Sequence, residues 1–211
     1  MFFRTLQTNS RKGNRLKPQL GRANLGLRFV ACLGLLSVLL AAHFGFQGQA
    51  QTTSEYELKA LVLSNFPKFI EWTPESFSNN TAPFVVGVVG DDPFNGKLDQ
   101  TLEGKSLNAR PVVVKHFKKG QNLRECHLLF ISGSEQQRLA HILENLKGSS
   151  VLTVSDINSF CQKGGVIGLE LENKKIRFVV NLDTADQARL RISSKLLALA
   201  KSVLGERRAG R

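Results

Sequence analysis

The chain has 211 residues, 42% of them hydrophobic, and a net charge of +12. Seven of its 29 Lys and Arg (Arg4, Arg11, Lys12, Arg15, Lys17, Arg22 and Arg28) fall in the first fifty residues, which hold no Asp or Glu, so the rest carries only +5. That residual charge requires no nucleic-acid partner, and a remainder of this length is the size of one domain with one core.

The basic start runs into an apolar stretch. Residues 1–28 read as the n-region and 29–42 as the h-region of a signal peptide over 1–50, with a small-residue exit at Gly48-Gln49-Ala50. A membrane anchor needs about 20 apolar residues, and Gly45, Gln47 and Gly48 cut this run short. The expected product is a periplasmic protein released by cleavage near Gln51. Ser10-Arg11-Lys12 only loosely matches a twin-arginine motif and Cys32 opens the h-region, so neither Tat export nor lipid attachment is expected.

Next comes a helix. Ser54 and Glu57 have capping-box spacing, and Leu58, Leu61, Val62, Phe66 and Phe69 follow at helical spacing, with Pro67 kinking or ending the run. Tyr56, Leu63, Ile70 and Trp72 add further apolar sides, so the helix is either buried between layers or partly exposed for a partner. Phe84–Val89 reads as a strand buried on both faces, Gly90-Asp91-Asp92-Pro93 as a turn, and Phe94–Leu102 as a helix. Strands follow at Val112–Phe117 and Leu128–Ser132, then a helix Glu135–Leu146 capped by Ser134, then a strand Val151–Val154. Val166–Leu171 and Ile176–Val180 flank Glu172-Asn173-Lys174-Lys175 as a hairpin, and Ser194–Val203 reads as a last helix. The predicted fold is α/β: a single-domain layered mixed sheet, largely parallel with a C-terminal antiparallel hairpin, and helices on both faces. Domain limits are 51–204, with 205–211 as a basic disordered tail carrying Arg207, Arg208 and Arg211.

Six blocks, in order, resemble the YfiR family: Glu55-Tyr56-Glu57-Leu58-Lys59-Ala60 through Phe69-Ile70-Glu71-Trp72; Gly87 to Phe94; Cys126 to Ile131; Leu152 to Asp156; Gly164-Gly165-Val166-Ile167; and Phe178 to Leu182 on to Leu196–Ala200. The resemblance covers roughly Ser54 to Leu204. It implies a small periplasmic α/β protein, a homodimer, that represses a YfiN-like membrane-bound diguanylate cyclase by binding its periplasmic domain. A YfiB-like outer-membrane lipoprotein relieves that repression. Family members with four Cys can pair each of the Cys126 and Cys161 positions with a separate partner, and Gly87 and Gly168 fill those partner positions here. Free thiols are therefore the expectation for Cys126 and Cys161, with a Cys126–Cys161 disulfide as the alternative.

Three segments compete as the partner-binding surface: the first helix, the loop Phe160–Ile167 and the stretch Asn181–Arg191. Gly164 and Gly165 give the loop freedom to present Phe160 and Ile167 as apolar anchors, unless both pack into the core. Asn181 is a cap or a contact residue, and Arg189 and Arg191 make surface ion pairs or partner contacts. No catalytic spacing emerges from His116, His127, His141 or Asp91-Asp92, and the Asp pair follows a strand where α/β sheets bind ligands but equally suits a turn. Cys126-His127 looks metal-like, yet neighbours on a strand point to opposite faces. No enzyme activity, metal or cofactor is expected. The alternative to a repressor is a small periplasmic solute-binding protein, although such proteins are usually built of two lobes.

Overall fold

The computed structural model describes residues 55–206. The signal segment 1–50, the Ser54 cap and the tail arginines Arg207, Arg208 and Arg211 lie outside the described residues. Helix α1 spans residues 55–65 and gives way to a 3-10 turn, Phe66–Phe69, at Pro67, which has no N–H to continue the helical ladder. Ala60, Leu63 and Phe66 are buried, whereas Leu58 and Leu61 are 40% and 52% exposed. The helix therefore packs along one side and leaves an apolar strip on the other. A short strand β1 (Ile70–Glu71) follows.

All six residues of β2 (Phe84–Val89) are buried, as a β-branched run without polar alternation requires. The chain then passes through α2 (Lys97–Leu102), β3 (Ser106–Leu107), β4 (Arg110–Phe117), β5 (Leu128–Ile131), α3 (Leu139–Leu146), β6 (Leu152–Ser155), β7 (Ile167–Glu172) and β8 (Lys175–Asn181). It ends with α4 (Leu182–Gln187), β9 (Arg191–Ile192), α5 (Ser194–Leu199) and β10 (Ser202–Leu204). The main sheet has eight strands in the order β10-β8-β7-β6-β5-β2-β4-β3. The neighbours from β7 to β4 are parallel, the β7–β8 hairpin and β3–β4 are antiparallel, and β10 lies parallel to β8. β1 and β9 form a separate antiparallel pair.

Strand alternation divides the interior into two cores. Phe84, Val86, Val88, Leu128, Phe130, Leu152 and Val154 share one with Ala60 and Leu63 of α1, Leu98 of α2, Leu182 of α4 and Leu196 of α5. Val85, Val89, Leu129 and Ile131 face the other, closed by Leu139, Ile142 and Leu146 of α3. The mixed, largely parallel sheet with helices on both faces is the predicted architecture.

Several element boundaries differ from the expected ones. Asp92 accepts hydrogen bonds from the backbone N–H of Phe94 (2.9 Å) and Gly96 (3.1 Å), holding residues 93–96 as a turn, so α2 begins at Lys97 and not at Phe94. The segment Gly133–Arg138 is 3-10, and Ser134 does not cap α3; its hydroxyl accepts from the Asp91 N–H at 2.9 Å and ties the turn after β2 to the turn after β5. The hairpin strands run to Glu172 and Lys175, because Asn173 and Lys174 (φ 50° and 61°) make a two-residue turn. The largest correction is at the end of the chain. The predicted helix Ser194–Val203 stops at Leu199, and Ser202–Leu204 pair with Val179–Asn181 of β8 instead. A ladder along an open strand edge outweighs the weak helical preference of those residues, and Leu199, 62% exposed, shows that no continuous apolar helix face exists there.

Candidate functional site

The loop between β6 and β7 and the stretch after β8 meet through Asn181. Its Nδ2 donates to the Cys161 carbonyl (2.9 Å), its backbone N–H donates to the Val166 carbonyl (2.8 Å), and its Oδ1 caps α4 by accepting from the Thr184 N–H (3.0 Å). Asn181 is thus a cap and a clamp. Phe160 and Ile167, the expected apolar anchors, are 1% and 0% exposed. Both are core residues in this structure: Ile167 sits between β6 and β8, opposite Val154 and Val180. Gly165 lies against the Phe160 ring so closely that an added Cβ would overlap it, and Gly164 takes φ 96°. The glycines let Phe160 turn inward, the reverse of presenting it. Arg189, itself at φ 56°, donates to the Gly148 carbonyl at 2.8 Å, and exposed Arg191 pairs across the β1–β9 ladder with Glu71.

What these segments do present is a groove of about 490 Å³ at the amino ends of β6 and β7. Leu143, Val151, Val166 and Ala188 give it an apolar lining, and Lys147 and Lys163 stand at its rim. The expected segments therefore do border a concave surface, through neighbours of the side chains singled out in the sequence. In the sequence Leu143 reads as an ordinary position on the apolar face of the helix Glu135–Leu146, and Ala188 falls inside the Asn181–Arg191 stretch without a signal of its own.

Cys126 and Cys161 are both buried and free. Burial pushes the Cys126 thiol up to about 12 and the Cys161 thiol up to about 11, so neither is a thiolate nucleophile near neutral pH. Gly87 faces Cys126, where an added Cβ would press on Sγ, and a Cβ on Gly168 would lie 3.4 Å from the Cys161 Sγ. The Gly168 spacing suits a disulfide. Gly168→Cys is therefore expected to bridge to Cys161 under oxidising conditions, and closing so short a loop should add about 2 kcal/mol, or roughly 5 °C in Tm. A thiol count of the oxidised variant, with melting curves before and after reduction, checks this.

Buried His127 and Lys59 are both engaged by neighbouring groups. His127 accepts from the Val85 N–H at Nδ1 (3.0 Å) and donates from Nε2 to the Ser76 carbonyl (3.1 Å), between stacked Phe77 and Phe84. Burial lowers its pKa, which keeps the ring neutral as that pattern needs. Cys126 meanwhile belongs to the opposite core, so the Cys-His step shares no ion. Lys59, 3% exposed, lies 2.5 Å from both Glu55 Oε1 and Asp156 Oδ2, and Tyr56 donates to the same Asp156 oxygen at 2.8 Å. Burial and that hydrogen bond raise the Tyr56 pKa, so the phenol stays protonated. Asp91 and Asp92 act in the turn, as described above, and His141 bonds Asn145 on α3.

The fold and the site define a mixed α/β protein with a groove at the amino ends of β6 and β7 and with buried His127 and Lys59 and half-buried Asp156 held in side-chain networks. Residues 56–201 match the model of the YfiR/HmsC-like family, and the chain belongs to that family. Membership points to regulation of cyclic-di-GMP signalling. Among solved structures, a conserved domain protein from Vibrio cholerae O1 biovar El Tor str. N16961 is similar at 12% identity and a TM-score of 0.44, over 56% of this chain and 54% of that one. The chain thus spans about half the length of that structure. Among the described residues, no helix is long and apolar enough to cross a membrane.

Proposed function

We propose that this protein is an exported repressor that binds the periplasmic domain of a YfiN-like diguanylate cyclase as a homodimer and is released by a YfiB-like lipoprotein. The family match over residues 56–201 carries this reading. The groove bordered by Gly164, Val166 and Ala188 supports it as a place for an apolar side chain of the cyclase, with exposed Lys163 at the rim to meet an acidic flank, Lys147 being paired with Glu144 at 2.6 Å. Holding a target from 1:99 to 99:1 in the inhibited state takes about 5.5 kcal/mol of differential binding. Two or three desolvated anchors at about 2 kcal/mol each supply it.

Deletion of the gene should raise cellular cyclic-di-GMP in a host carrying such a cyclase; an unchanged level overturns the repressor reading. Leu143→Asp puts a charge in the wall of the groove at a half-buried position, and Lys163→Glu reverses charge at its exposed rim. Each variant is expected to fold, to give a normal melting curve and to lose repression in a complementation assay. Full repression by a folded Lys163→Glu together with a folded Leu143→Asp would move the contact elsewhere, with the exposed pair Leu58 and Leu61 of α1 next in line.

A further inference from the structure

We propose that Asp92, Asp99 and His116 form a site for one divalent transition-metal ion of the zinc class. The three residues lie within 25 positions of one another but come from three elements: the turn after β2, helix α2, and the C-terminal end of β4. One ligand atom from each lies within 4.8 Å of the other two. His116 Nε2 is 3.1 Å from each carboxylate oxygen of Asp99. Adjacent donors around a four- or six-coordinate ion with bonds of about 2.1 Å are separated by roughly 3.0 to 3.4 Å, so this pair already has the spacing of neighbouring ligands. Asp92 supplies the third ligand atom, within 4.8 Å of the other two.

Asp92 is held in place by the Phe94 and Gly96 N–H groups, which leave carboxylate lone pairs free on the open side. The two aspartates have no Lys or Arg partner among the ion pairs of the described residues; nearby Lys97 is turned to Glu57 at 3.5 Å. The site therefore holds two carboxylates against a single imidazole, a local excess of negative charge that a cation relieves. One nitrogen and two oxygen donors suit zinc, nickel or cobalt, whereas calcium and magnesium take all-oxygen shells. Side-chain exposures of 43% and 44% at Asp99 and His116 leave positions open for water ligands. The site also lies at the carboxyl ends of β2 and β4, where α/β sheets bind ligands, and away from the groove.

The test is calorimetric titration of the tag-free protein with zinc chloride at neutral pH, repeated with calcium and magnesium chloride. One zinc per chain is expected, with calcium and magnesium silent. Even outer-shell changes cost about tenfold or more in metal affinity, so His116→Ala and Asp99→Asn should each weaken zinc binding by at least that factor. His141→Ala, on α3 and outside the site, should bind as the wild type does. Both site variants alter exposed side chains, and a melting curve confirms that they fold. Absence of saturable one-to-one binding overturns the proposal. So does zinc affinity unmoved in folded His116→Ala, or reduced equally in His141→Ala.

Discussion

Ile167→Asp should yield no cooperatively folding protein. Ile167 is fully buried in β7, with β6 on one side and β8 on the other, so the substitution removes a packed side chain and puts an unpaired carboxylate in a dry interior. Losing the packing costs about 2 kcal/mol or more, and the buried charge adds several more. A total above about 5 kcal/mol is comparable to the whole stability of a typical domain. Ile167→Val, which deletes one methylene, should cost only about 1 kcal/mol and stay folded. Urea denaturation followed by circular dichroism checks both. A folded Ile167→Asp with a wild-type midpoint would contradict the buried register of β7. Loss of repression in this variant would report unfolding, which is why Leu143 and Lys163 are the better probes of partner contact.

Lys59→Met should be the second most damaging change. Lys59 is 3% exposed and serves both Glu55 and Asp156, and Asp156 is itself only 12% exposed. Removing the cation leaves Asp156 with the Tyr56 hydroxyl as its side-chain partner in a site that water barely reaches. Breaking a buried pair from one side costs about 3 to 5 kcal/mol, whereas replacing both members with apolar residues is often close to neutral. The double variant Lys59→Met/Asp156→Leu should therefore be more stable than Lys59→Met alone, a sign that no additive scheme produces. Chemical denaturation of the two variants against the wild type measures it; a double variant at or below the single one would show that the ion pair is not the main role of Lys59.

The parts of the fold visible in the sequence are those decided by local pattern. Phe84–Val89 has no polar residue to turn outward, so only a strand covered on both faces accommodates it. The hairpin was visible because Asn173 and Lys174 sit between two strand-like runs, and Asn181 because an Asn at the end of a strand suits a helix or turn cap. What could not be read were outcomes set by distant partners. Ser202–Leu204 is a strand because the edge of β8 is open beside it, and Leu182–Gln187 carries too few periodic apolar positions to announce α4. Phe160, four residues before a Gly pair, reads equally as an exposed anchor or a core residue; the choice rests on the close approach of Gly165 to its ring. Asp92, Asp99 and His116 gave no motif because their proximity exists only once the turn, helix and strand are stacked.

The ends of the main sheet bear on how this protein behaves at high concentration. One end is closed by β10, three residues long, and the other by β3, two residues long. Strands so short offer little ladder for another chain to extend, a common guard against edge-to-edge aggregation. Beyond the reach of β3, which covers Arg110 and Pro111, the outer edge of β4 carries Lys115, so a charge stands close to its exposed Val113. The guard at the β10 end rests on Ser202–Leu204 alone: a protein clipped after Ala200 would uncover the β-branched edge of β8 around Val179 and Val180 and open it to pairing with another chain.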